Sequence, residues 1–488
     1  MRYYEEDMVT KVSMTKNSFY SLSSTAIQKA LTFIYFIIVA RYFGPEDQGR
    51  YSTALAFAAL FSVFIDIGMS AALTRETARE PHKAGSLVSQ MFLYRILFGV
   101  VIYGVTVLLA YAFHYSPELI RFITITAFAA VIDVICTSCW AVFRGFQNLK
   151  YEAYGGILAI AVMVFFGSLA MILHLPLIYL VYAVLAGSGV NFLYVLFLIV
   201  FQCKLSISLR PDWVLLKRLF FISLPFAGAA IFSRVYTFSD IAILTRVSGE
   251  AYAGWYSAAS KIILALNMIP AAISASIYPA MSEYFTTSPH RLGKTYIRAT
   301  TFLLAISIPS AVGLSVLSQP IVLTFYNSSY LPTAAVLSVL SGALIFCFLS
   351  FPVGALLAAS DKQIRNTILF GGAAVINVVL NIFLSKHYQA VGTAYASVAT
   401  YSFLFFAGFL WIRAYWKEYS RELFGIAGKV CASAAVMALA LFIFRERAPL
   451  VINILLGCGL YGAMLFVVRI ISPDDVKRMS AILAKKNT

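Results

Sequence analysis

Lys29 and Arg234 are the residues whose placement most needs a chemical reason. Each sits midway along a run of about 20 apolar residues, long enough to cross roughly 30 Å of hydrocarbon as a helix. A cation near the centre of a bilayer is costly, so each should face a bundle interior or a water-filled cavity. There it either neutralises a carboxylate of the protein or holds an anion that enters from outside. Ser21, Thr25, Lys29 and Thr32 share one helix face at spacings of three to four residues, the stripe a hydrophilic cavity wall requires. The opposing reading is that each cation snorkels to an interface or pairs with Asp66, Asp133 or Asp240.

Other polar groups in apolar runs are weaker candidates. Asp66 shares a face with Ser62 and Ser70 near the end of its run, where it can be interfacial. Arg95, about two turns into its run, and Lys261, under two turns from the end of its own, are long enough to snorkel. Asp240 lies six residues beyond Arg234, about 120° around the helix, so the two are poorly placed to pair. Asn377 and Asn381, at i and i+4, present an amide face read as a link between helices. Cys136 and Cys139 form C-x-x-C with no nearby histidine or second pair, which points to packing rather than to metal or redox chemistry. No metal ligand set and no catalytic residue is expected.

The elements that must position these groups are helices. Of 488 residues 61% are hydrophobic and 12% charged, against about 25% charged in soluble domains. The apolar runs are continuous rather than alternating, which excludes a barrel. They predict an all-α integral membrane protein of about fourteen spans: Ser18–Ala40, Tyr51–Leu73, Leu87–Phe113, Pro117–Val142, Ala153–Leu173, Leu177–Phe201, Leu219–Thr245, Trp255–Pro279, Ala299–Leu317, Thr333–Ala358, Thr367–Leu384, Ala390–Ile412, Gly425–Phe444 and Leu450–Ile471. Arg75, Lys150, Arg218, Arg365 and Arg421 lie in alternate connections with many other cations, whereas the remaining connections hold only Arg41, Arg50, Arg121, Arg246, Lys386, Arg445 and Arg447. This bias places both termini in the cytoplasm. The net charge of +16 is then explained by topology and anionic lipid, without nucleic acid. The polar segment 1–17 carries both signs of charge and is not read as a cleavable signal.

The halves of the chain resemble each other. An offset of 205 aligns Arg41 with Arg246, Gly44 with Gly249, Gly49 with Gly254, Tyr51 with Tyr256, Ser52 with Ser257 and Ala54 with Ala259, all identical. The same offset carries Lys29 to Arg234. The glycines suit tight turns between antiparallel helices. Six helices, an even number, separate the copies, so the repeats are parallel, and in such transporters the substrate site lies between them. The expected organisation is an N-terminal segment 1–17, a first six-helix lobe 18–202, a linker 203–218, a second lobe 219–412, a C-terminal helix pair with its linker 413–471, and a tail 472–488.

Ala40-Arg41-Tyr42-Phe43-Gly44-Pro45-Glu46-Asp47-Gln48-Gly49-Arg50-Tyr51-Ser52 resembles the "ARyLGPeeyGlYs" pattern of bacterial polysaccharide flippases, the O-antigen and oligosaccharide-lipid branch of the multidrug/oligosaccharidyl-lipid/polysaccharide exporter superfamily. Asp66-Ile67-Gly68-Met69 with Arg75-Glu76 resembles its "DlGl…Re". Asp240–Leu244 running to Gly254–Ala259, and Asn377–Asn381 followed by Val391–Ser397, resemble its seventh and eighth and its eleventh and twelfth helices. The resemblance spans roughly Thr15 to Arg413. It implies two lobes around a central cleft, alternating access in the cytoplasmic (inner) membrane, and a polyprenyl-diphosphate-linked oligosaccharide as substrate, with other polysaccharide-assembly proteins as partners. Lys29 and Arg234 would then bind the diphosphate. Thr25, Asp66, Arg95, Asp133, Asp240 and Lys261 are candidates for the cavity wall or for coupling. No cofactor is expected, and any coupling would be to an ion gradient or to the membrane potential. A multidrug antiporter of the same superfamily usually has twelve helices, so the final pair favours the flippase. A glycosyltransferase or polymerase would need acidic residues on a sizeable outer loop, and Ser318–Pro332 has none. No ATP-binding G-x-x-x-x-G-K-[ST] occurs.

Overall fold

The computed structural model describes residues 13–203 and 211–470. The expected N-terminal segment as far as residue 12, residues 204–210 of the linker and the 472–488 tail lie outside them. Every regular element among the described residues is helical. In chain order these are α1 Met14–Asp66, α2 Met69–Arg79, α3 Ala84–Ala112, α4 Pro117–Gly145, α5 Lys150–Ile172, α6 Ile178–Phe197, α7 Trp213–Ser248 and α8 Glu250–Leu266. They continue as α9 Met268–Thr287, α10 Pro289–Val316, α11 Ser318–Phe325, α12 Thr333–Ala359, α13 Gln363–Trp411, α14 Arg413–Trp416, α15 Ser420–Phe444 and α16 Leu450–Val467.

Local chemistry sets the boundaries. Ser116 caps α4 through the Leu119 N–H, with Pro117 at the first helical position. Asp212 accepts from the N–H groups of Val214 and Leu215 at the start of α7, and Ser288 from that of Arg291 at the start of α10. Left-handed residues end the helices: Ile67 (φ 42°) and Gly68 (φ 73°) stop α1, and His114 (φ 53°) and His174 (φ 53°) follow α3 and α5. The expected second span, Tyr51–Leu73, is therefore broken at Ile67–Gly68, and Met69–Arg79 is a helix of its own. The expected loop Ser318–Pro332 also contains a helix, α11, and a 3-10 turn that buries Tyr330.

Twelve helical runs among the described residues are long and apolar enough to cross a membrane. Two of them, Lys16–Asp66 with 51 residues and Gln363–Trp411 with 49, would be about 75 Å long if straight, more than twice the hydrocarbon thickness. Neither is straight. The first breaks at Gly44 (φ 82°, ψ 179°) before Pro45, and the second at Gln389 (φ 48°, ψ −130°). Tyr35 and Val39, before Gly44, share one core cluster with Tyr51, Ala54 and Phe57, after it, as the two arms of a hairpin would.

The chain forms two compact units, one of Met1–Ser257 with Asn377–Ala390 and one of Ala258–Ile376 with Val391–Thr488. In lipid, helices associate through close packing rather than hydrophobic exclusion, so small residues mark the contacts. Within the first unit Gly187 of α6 leaves room only for the Ala159 carbonyl of α5, and Gly155 lies against Trp140 of α4. In the second unit the Tyr461 hydroxyl donates to the Ala305 carbonyl at 2.8 Å, holding α16 to α10. The Tyr326 hydroxyl donates to the Ala258 carbonyl at 3.1 Å.

Candidate functional site

The two mid-span cations keep their charge available. Lys29 and Arg234 are both exposed, and among the described residues neither lies within ion-pair distance of a carboxylate. Arg234 instead stacks its guanidinium over the Phe238 ring, 5.4 Å from the centroid. The carboxylates proposed as their partners are engaged elsewhere. Asp66 is ion-paired with Arg95, and Asp240 accepts from Tyr256, Asn377 and Asn381. Asp133 is itself exposed, with Ser188 beside its carboxyl.

The polar stripe on α1 is partly as expected. The Thr25 hydroxyl donates to the Ser21 carbonyl at 2.8 Å and that of Thr32 to the Gln28 carbonyl at 2.6 Å, so both are committed to their own helix. Ser24 and Gln28, absent from the expected stripe, do the reaching: Gln28 Nε2 donates to Ser24 Oγ at 2.7 Å, and Ser24 to the Ala153 carbonyl of α5 at 3.1 Å. With Ser21, Thr25 and Glu152 they line a polar cavity of about 70 Å³.

Arg95 does not snorkel. Its side chain is 0% exposed, its Nη1 donates to Thr137 Oγ1 at 2.6 Å and its Nη2 to Ser70 Oγ at 2.7 Å, and it is ion-paired with Asp66. Asp66 in turn accepts the Ser70 hydroxyl at 2.6 Å and the Ser70 N–H at 3.2 Å, so it also caps the start of α2. The pair neutralises two charges and ties four helices, α1, α2, α3 and α4.

Asp240 is the centre of a buried polar cluster. It accepts from the Tyr256 hydroxyl at 2.5 Å, from Asn377 Nδ2 at 2.8 Å and from Asn381 Nδ2 at 2.7 Å. Ser239 donates to Asn377 Oδ1 at 2.9 Å, and Asn377 and Asn381 are 1% and 0% exposed. The asparagines do link helices, as expected, but their amides converge on a carboxylate. Lys261 lies half-buried in the second unit.

Two features were missed in the sequence. Gly44 and Gly249 adopt positive φ (82° and 110°), as tight turns require, yet Gly49 and Gly254 are helical and do something else. A Cβ on Gly49 would overlap the Glu250 carbonyl, and a Cβ on Gly254 the Pro45 carbonyl. Pro45 and Glu250 are themselves related by the 205-residue offset, so the contact is reciprocal. Beside it Arg50 pairs with Glu250, with Asp47 at 2.8 Å and with Glu46 at 2.6 Å, while the Ser116 hydroxyl donates to Glu250 at 2.7 Å. A cavity of about 440 Å³ opens there, lined by His114, Arg246 and Tyr252 among others.

Twelve apolar helical runs of spanning length among the described residues define a multi-pass membrane protein. The chain belongs to the polysaccharide biosynthesis protein family, whose profile matches residues 14–285. It is 25% identical over 291 residues to a Shigella flexneri protein described as an O-antigen transporter, covering 56% of this chain and 67% of that one. It is 21% identical over 377 residues to the low-salt glycan biosynthesis flippase Agl15 of Haloferax volcanii, covering 76% and 78%. Its fold matches the solved inward closed structure of the lipid II flippase MurJ with a TM-score of 0.75 at 17% identity, covering 92% of this chain and 99% of that one.

Proposed function

We propose that this protein is a flippase that moves polyprenyl-diphosphate-linked oligosaccharide from the cytoplasmic to the outer leaflet by alternating access, for cell-surface polysaccharide assembly. The observation that carries the reading is the pair Lys29 and Arg234, mid-span cations with no carboxylate partner among the described residues. A cation kept in an apolar span without a countercharge is stabilised when an anionic ligand supplies one, and a diphosphate supplies more than one charge. Relatives named for glycan and O-antigen transport favour this reading over drug export. In it, residues 18–202 and 219–412 are the two lobes of the carrier, the fourteen spans leave both termini in the cytoplasm, and the protein works in the cytoplasmic membrane. Asp240 takes up a coupling proton or small cation in this reading, and the Asp66–Arg95 pair is structural.

The test is flipping in reconstituted proteoliposomes. A labelled polyprenyl-diphosphate oligosaccharide in the inner leaflet should become accessible to an externally added glycosidase, and the corresponding polyprenyl glycoside lacking the diphosphate should not. Equal transport of both compounds, or transport of neither alongside extrusion of a cationic dye, would refute the proposal.

A further inference from the structure

One end of the second unit carries a concentration of cations with no ion-pair partner among the described residues. On α10, Arg291, Lys294 and Arg298 follow at spacings of three and four residues, on the face opposite buried Leu292, Tyr296 and Ile297, and all three are exposed. The α13–α15 connection lies against the same helix end. The Tyr415 carbonyl and the Tyr419 ring fill the space beside Gly293, and the Tyr419 hydroxyl donates to the His290 carbonyl at 3.1 Å. That connection brings exposed Arg413, Lys417 and Arg421. Tyr415 also receives Lys362, whose Nζ donates to its hydroxyl at 3.1 Å and lies 5.1 Å from its ring centroid. Arg365 sits 6.0 Å from the Trp411 ring centroid.

The nearby carboxylates Asp361, Glu418 and Glu422 leave these cations alone, since no ion pair joins any of the eight to a described carboxylate. Four loop cations of the first unit behave differently. Arg79 and Arg218 are paired with Glu76, Lys83 with Glu80 and Arg144 with Glu152. Eight like charges in one patch repel one another, so their stable arrangement implies a countercharge from beyond the described residues. The aromatics identify its setting: Trp411, Tyr415 and Tyr419, with one end apolar and one polar, are the residue types that anchor helices at the headgroup level.

We infer that this patch is a binding surface for anionic phospholipid, with the lipid phosphates seated among the cations of α10 and the α13–α15 connection. The surface is assigned to the second unit, where none of these eight cations is ion-paired with a described carboxylate, whereas Arg79, Lys83, Arg144 and Arg218 of the first unit are paired. It is independent of the proposed substrate site, and its test does not require transport. The experiment is native mass spectrometry of the full-length protein with phosphatidylglycerol and phosphatidylcholine in competition.

The wild type should retain phosphatidylglycerol in preference. The triple variant Arg291→Gln/Lys294→Gln/Arg298→Gln should lose about a hundredfold of that preference, each charge contributing roughly a fivefold part. The triple variant with Arg79→Gln, Lys83→Gln and Arg218→Gln should retain it. Replacement of Arg291 and Arg298 by Lys should also retain it, which separates loss of charge from loss of folding. Unchanged lipid preference in the first triple variant would overturn the inference. So would equal loss in both triple variants, or complete displacement of the lipid by inorganic diphosphate, which would mark the patch as a site for a soluble anion.

Discussion

Lys29 and Arg234 were conspicuous in the sequence because hydrocarbon tolerates few charges, and a single charged letter in an apolar run is visible without a structure. Their freedom from carboxylates was not visible. Asp66 and Arg95 are 29 residues apart on different helices, and nothing in their spacing says that they meet; only packing does. At the proposed diphosphate site, Lys29→Ala and Arg234→Ala should each abolish export while leaving the protein inserted and abundant, measured by flipping and by membrane protein level. Lys29→Arg should keep part of the activity, because the charge survives with altered donor geometry, and Lys29→Glu should be worse than alanine. Asp66 and Arg95 should behave in the opposite way. Breaking that pair from one side, as in Arg95→Met, leaves a carboxylate stranded and should cost about 3 kcal/mol, the lower end of the range because Asp66 keeps 30% of its side-chain exposure. Asp66→Leu combined with Arg95→Met should recover much of the loss in a thermal melt, and recovered melting with recovered export would confirm that the pair is structural.

At the level of elements, the helices and most of their ends followed from apolar length, caps and glycines. The breaks did not all follow. Gly44 and Gly249 announced their turns, since glycine before Pro45 and glycine before Glu250 have few other uses, but Gln389 carries no such mark and its positive φ is imposed by context. The repeat offset showed that Gly49 and Gly254 are equivalent; it could not show that each one's environment contains the other's neighbour. Their roles now separate in a measurable way. Gly49→Ala and Gly254→Ala drive a methyl group into a backbone carbonyl and should lower abundance and melting temperature sharply. At Gly44 and Gly249 a Cβ meets nothing within 4 Å, so alanine there should cost only the strain of a backbone conformation that is essentially glycine's own, about 1–3 kcal/mol. Greater damage at Gly44 than at Gly49 would mean that the close approach is dispensable.

For the whole molecule, composition sufficed for the class and the apolar runs for an all-α membrane protein, whereas the grouping into compact units depends on contacts the linear pattern does not encode. Sidedness rests on the Lys and Arg bias, and reporter fusions check it: those after Lys150 and Arg421 should report the cytoplasm, and those after Pro332 and Arg447 the outside. The unpaired state of Lys29 and Arg234 has an electrical consequence. In the proposed mechanism the empty carrier holds two uncompensated positive charges, and the carrier loaded with a diphosphate holds almost none. The loaded stroke is then nearly silent electrically, while the return stroke moves charge and is worth up to about 2.3 kcal/mol per charge per 100 mV of membrane potential. With the cell interior negative, that field draws the empty carrier back to face the cytoplasm. Return measured in vesicles under an imposed potassium diffusion potential should accelerate with hyperpolarisation, and Lys29→Ala should flatten the dependence by about half.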